Sequence, residues 1–126
     1  MKKLLFGTLF ASMAFGANTA WADGWPVSVL GNWSVVANFV TGTLSITSQA
    51  ATGDCRPIKG TIFGNPMVGF YCPFSGRIHF LRNNASGITF QDYTANLSQN
   101  VSPLRMGGTF ASDLGAFGEY NFQASK

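Results

Sequence analysis

Cys55, Cys72 and His79 are the side chains of this sequence best suited to chemistry. Cys72 and His79 share the stretch "GFYCPFSGRIHF", residues 69–80, with three phenylalanines, a tyrosine and Arg77. A thiolate beside an imidazole could act as a nucleophile, and cysteine with histidine could ligate zinc. Neither reading finds enough partners. Two cysteines and one histidine are too few for a closed zinc site. No serine, cysteine or carboxylate stands at a recognisable catalytic spacing from His79. On a strand, His79 faces away from Phe80 and points outward. Asp92 and Glu119 could approach each other across strands, yet nothing marks them as an acid–base pair. No catalytic residue, metal or cofactor is expected, and so no enzyme.

The chain start bears on the cysteines. "MKKLLFGTLFASMAFGANTAWADG" carries Lys2 and Lys3, an apolar run from Leu4 to about Ala17, and small residues at Ala20 and Ala22. That pattern predicts a bacterial-type secretory signal peptide over residues 1–22, cut after Ala22. The apolar run is shorter than the ~20 residues that span a bilayer, and no later segment is apolar enough to cross, so no membrane partner is expected after cleavage. Residues 23–126 then form one small domain, secreted or periplasmic. In an oxidising compartment Cys55 and Cys72 are expected as a disulfide. The sequons beginning at Asn32, Asn84, Asn96 and Asn100 are read as chance in a bacterial protein.

Charge excludes another class. Once Lys2 and Lys3 leave with the signal, six basic side chains stand against five acidic ones, with no cluster. Nucleic-acid binding needs several grouped cations, so no nucleic-acid partner is expected.

The elements that must position any site read as strands. Apolar residues alternate instead of recurring every three or four positions. "NWSVVANFV" puts Trp33, Val35, Ala37 and Phe39 on one face, before a turn expected at Thr41-Gly42. "TLSITS" pairs Leu44 with Ile46, and "PIKGTIF" pairs Ile58 with Ile62. Gly64-Asn65 is a hairpin signal before "PMVGFYC". That hairpin places Cys72 opposite a residue near 57, with Cys55 in reach after a small bulge. "RIHFLR", "ITFQDYTANL", "LRMGGTFA" and "AFGEYNFQA" complete eight short strands. Asn38 and Gln91 are expected to point outward. The fold class is all-β: an eight-stranded antiparallel up-and-down barrel, which leaves no exposed edge. A two-sheet sandwich is the main rival.

Several short motifs carry a resemblance. "GNW", Gly31 to Trp33, "IKGTI", Ile58 to Ile62, and "GEYNF", Gly118 to Phe122, resemble motifs of the avidins, within the calycin superfamily, in their order and spacing. "RIHFLR" and "ITF", residues 88–90, lie where avidins carry tryptophan-bearing strands. The resemblance implies the same barrel and a ligand-binding role. It also shows departures. Val35, Phe39, Ile62 and Tyr120 occupy positions where avidins hold polar groups around the head of biotin, and Phe80 and Phe90 stand at family tryptophans. A buried ureido group without partners loses several kcal/mol, on the order of 2–7, so tight biotin binding in the familiar mode is not expected.

Two functions are compatible with these residues. The first is an exported binding module for a small apolar or aromatic ligand, contacted by Trp33, Phe39, Ile62, Phe80, Phe90 and Tyr120. Trp33 could equally plug one barrel end, and the phenylalanines could simply fill the lumen. The second is a protein-interaction module, such as a periplasmic protease inhibitor, using "DGWPVSVLG", residues 23–31, as an inserted segment. The stretch from 67 to 74, apolar on both faces, further points to a homo-oligomer.

Overall fold

A computed structural model describes residues 21–22, 24–98, 102–113 and 118–126 of the chain. The expected signal peptide lies outside the described residues except for Trp21–Ala22, which form a short strand, β1, against β2 (Trp25–Pro26). Eight longer strands complete the chain: β3 (Gly31–Ala37), β4 (Val40–Gln49), β5 (Arg56–Ile62), β6 (Asn65–Cys72), β7 (Arg77–Asn83), β8 (Thr89–Leu97), β9 (Arg105–Ser112) and β10 (Gly118–Ser125). Each pairs antiparallel with its chain neighbour, and β10 returns to β3 with Phe122 opposite Ala37. The barrel is therefore closed, and the sandwich is excluded.

Alternation explains the closure. In β3, Trp33, Val35 and Ala37 are buried while Asn32, Ser34 and Val36 are exposed. In β5, Ile58 and Ile62 point in while Lys59 and Thr61 point out. One greasy face per strand drives the sheet to curl around it. A greasy lumen inside a largely polar outer face is the reverse of a membrane-spanning barrel.

The turns differ from expectation in two places. The β3–β4 turn is Asn38–Phe39, both with positive φ (47° and 71°), not Thr41-Gly42, which lie inside β4. A two-residue turn with both central residues left-handed matches the twist of the flanking strands. It also removes Phe39 from the face it would share with Trp33. The β5–β6 turn is Phe63–Gly64 (φ 49° and 78°), one residue before the expected Gly64-Asn65. That single-residue difference sets Arg56 opposite Tyr71, so Cys55 follows on directly to Cys72. The disulfide forms, with Cα atoms 4.0 Å apart, and needs no bulge between β5 and β6.

The two barrel ends are unlike. At one end the segment before β3 folds inward as a plug. Val29 and Pro26 are buried. The Trp33 indole donates to the Val29 carbonyl (2.9 Å), and the Tyr71 hydroxyl donates to the Pro26 carbonyl (2.6 Å). Gln49 brackets the segment, accepting from Val29 N and donating to Val27 O, both at 2.9 Å. Trp25 lies on Gly76, where any Cβ would overlap its ring, and donates to Leu97 O. The middle of the lumen is filled by aromatic rings. Phe80 stacks on Tyr93 (4.8 Å between centroids), Tyr93 stacks on Phe110 (4.9 Å), and Phe122 meets Phe80 and Tyr93 edge-on. The opposite end is open.

Candidate functional site

The open end holds a cavity of about 330 Å³. Its floor is Ala37, Tyr93 and Phe110, all buried in the barrel. Tyr120 leans over Phe110, with ring centroids 5.4 Å apart, and forms one wall. Val40 and Phe63 form another. Phe63 fits because position 42 is glycine: a Cβ there would overlap the Phe63 ring. These surfaces suit an apolar or aromatic group.

One side of the mouth is polar. Arg82 follows Ile78 and Phe80 along the inward face of β7 and reaches the rim. Its Nε and Nη2 both donate to Asn65 Oδ1 (2.9 and 2.7 Å), and its Nη1 donates to Gln91 Oε1 (2.9 Å). Gln91 Oε1 also accepts from the Tyr93 hydroxyl (2.7 Å), and Gln91 Nε2 donates to Ser112 Oγ (3.5 Å). The amide of Gln91 is thus oriented by both of its ends.

A bulge completes the arrangement. Arg82 pairs with Gln91 and Asn83 pairs with Thr89, leaving Phe90 as the extra residue of β8. The irregularity brings Phe90 beside Arg82, whose guanidinium lies over two rings, 4.8 Å from the centroid of Phe90 and 5.1 Å from that of Phe63. Burial pushes the Tyr93 phenol up to about 12, against a smaller opposing pull from Arg82. Burial likewise raises the Tyr71 phenol at the plugged end, with Arg56 opposing.

The structure scatters the six residues expected to share a ligand contact surface. Tyr120 lines the cavity. Phe90 stands at its rim through Arg82. Trp33, Ile62 and Phe80 are fully buried; Trp33 belongs to the plug and Phe80 to the aromatic fill. Phe39, at the tip of its turn, is 95% exposed and does not line the cavity. Gln91, expected outward, points in. The phase of β8 is set by Tyr93, Ala95 and Leu97, all buried, and Gln91 shares their parity. Arg82, Tyr93 and Phe110 were not among the expected contacts. Strand alternation from Phe80 would have placed Arg82, and alternation from Leu97 would have placed Tyr93.

The side chains that first suggested chemistry lie elsewhere. His79 is on the outer wall, as expected, but it is not without a carboxylate: its Nε2 contacts Asp92 Oδ1 across β7 and β8. Asp92 and Glu119 are separated by β9, since both register with Ala111. Strand spacing puts them about 10 Å apart. Among the described residues, no three His, Cys, Asp or Glu side chains gather where they could hold a metal ion.

No family model, curated protein or solved structure matches the chain.

Proposed function

We propose that the protein is an exported, avidin-like binding barrel that holds a small apolar or aromatic ligand in its open mouth. The observation that carries the reading is the cavity of about 330 Å³ over Tyr93 and Phe110, walled by Tyr120 and Phe63. The avidin-like part draws support from the ordered GNW, IKGTI and GEYNF motifs together with an up-and-down barrel closed by its first and last long strands. Export draws support from the amino-terminal sequence and from the disulfide. The reading involves no catalytic step and no cofactor.

Biotin is not the ligand in this reading. Val35 and Ile62, at positions where avidins carry polar partners, are buried in the apolar core. The stacked rings of Phe80, Tyr93 and Phe110 fill the depth a bicyclic head would enter. The alternative role as an inserted inhibitor loses its inserted segment, because residues 24–30 are folded against the plugged end. Self-association belongs to the proposal: Val68, Phe70 and Phe74 turn outward while Met67 and Tyr71 turn in.

Native mass spectrometry of protein purified from its own compartment tests the reading. A small-molecule adduct that is lost on collisional activation, and that added biotin does not displace, is the expected result. Bare protein, together with no chemical-shift change at Tyr93, Phe110 or Tyr120 across a set of small aromatic compounds, would overturn it.

A further inference from the structure

Arg82 carries a positive charge that no described side chain neutralises. The ion pair among the described residues is His79 with Asp92, on the outer wall. Asp113, just past the end of β9 near the rim, is exposed and makes no ion pair with Arg82. The guanidinium makes three hydrogen bonds, all to neutral amide oxygens, those of Asn65 and Gln91. A guanidinium has five N–H donors; with the Tyr93 hydroxyl also within hydrogen-bond reach of Arg82, at least one is still left for another acceptor. The group is also held still. It lies over two aromatic rings, Asn65 fixes one edge and Gln91 holds the other terminal nitrogen. Gln91 is itself oriented by the Tyr93 hydroxyl. Holding a cation in place beforehand removes most of the ordering cost of binding an anion, and a planar fork suits a carboxylate better than a point charge does.

We propose that Arg82 is the anchor for the carboxylate of a small aromatic or aliphatic acid, whose apolar part lies over Tyr93, Phe110 and Tyr120. This rests on the ligand-binding reading and adds the charge of the ligand to it. The same cavity presents both halves of the recognition, a ring-lined floor and a clamped cation at the edge. A purely structural Arg82, latching the β5–β6 turn to β8, would stabilise the barrel but would not discriminate between ligands by charge.

The test compares 3-phenylpropionate with its neutral amide by isothermal titration calorimetry on the whole mature protein. The wild type is expected to bind the acid about tenfold or more tightly than the amide, with added salt narrowing the gap. Arg82→Gln is expected to weaken the acid much more than the amide, so that the acid-to-amide ratio falls to about one. Arg82→Lys should keep part of the preference. Equal binding of both compounds to the wild type, or a preference that survives in Arg82→Gln, would overturn the anchor and leave the ligand-binding reading standing. No binding of either compound at millimolar concentration would count against both. If Arg82→Gln does not fold, the acid-to-amide ratio of the wild type and its salt dependence still decide.

Discussion

Tyr93 joins the filled lumen to the open mouth. Its ring stacks between Phe80 and Phe110, and its hydroxyl holds Gln91 toward Arg82. Burial keeps it protonated up to about pH 12, whereas a tyrosine of the unfolded chain titrates near 10.0. The folded pKa is raised. The stability it contributes is therefore fully present below about pH 10 and is lost as the pH rises toward about 12. Denaturant midpoints are expected to fall across that window, and to fall less in Tyr93→Phe. Tyr71, shifted in the same direction, keeps the variant from becoming flat. A wild-type midpoint that does not change across the window would contradict the burial of both phenols. Phe39 makes the opposite case. It is left-handed at φ 71° and 95% exposed, so it bears strain without packing. Phe39→Gly is expected to raise stability by about 1 kcal/mol, read as a higher thermal midpoint, with unchanged affinity for any mouth ligand. The parity of β8 and the left-handed turn at Phe39 were the two local features hardest to see in sequence. A phenylalanine is a poor sign of a turn, and Phe90 interrupts the alternation that otherwise runs back from Leu97.

At the scale of elements, the plug and the disulfide close one end so that the other can stay open. Cys55 and Cys72 join the residue before β5 to the end of β6 across a separation of 17 residues. Closing a loop of that length contributes about 3 kcal/mol in the chain-entropy account. Reduction, or Cys55→Ser with Cys72→Ser, is expected to lower the unfolding free energy by that order, measured by denaturant titration with and without reductant. A change below about 0.5 kcal/mol would mean that the unfolded chain is already restrained there. The pairing of the cysteines was legible from their number and setting. Their register was not, because it depends on whether the turn takes Phe63–Gly64 or Gly64-Asn65, and both dipeptides contain the glycine that a turn needs. The plug was less legible still. Nothing local in "GWPVSVL" says whether it docks or protrudes. Its place is decided by Tyr71, Gln49 and Leu97, which are remote in sequence and supply the hydrogen-bond partners.

At the scale of the whole molecule, most of the barrel's outer face is polar, while β6 and the turn after it present Val68, Phe70 and Phe74, the last two 39% and 52% exposed. The proposed self-association covers this face, with Phe70 already in contact with the His79 ring at 5.5 Å. Sedimentation is expected to show an oligomer whose mass falls toward the monomer in Phe70→Lys. A wild type that sediments as a clean monomer at high concentration would remove this part of the proposal. Phe70→Lys should not alter ligand binding, because none of these three residues lines the mouth.

The sequence alone determined the class of fold and the chemistry of its interior. A two-residue apolar period over eight segments requires a sheet with one greasy face, and a single sheet of that kind buries the face most completely by closing on itself. It determined the disulfide too, since two cysteines had no better partner. Only the tertiary structure decided where the site is. A lumen is a shared volume: whether a ring such as Phe80 lines it or fills it depends on how far rings from other strands reach toward it. The guanidinium of Arg82 acquires its place from Asn65, Phe63, Phe90 and Gln91, residues that come together only when three strands and a turn pack around one mouth.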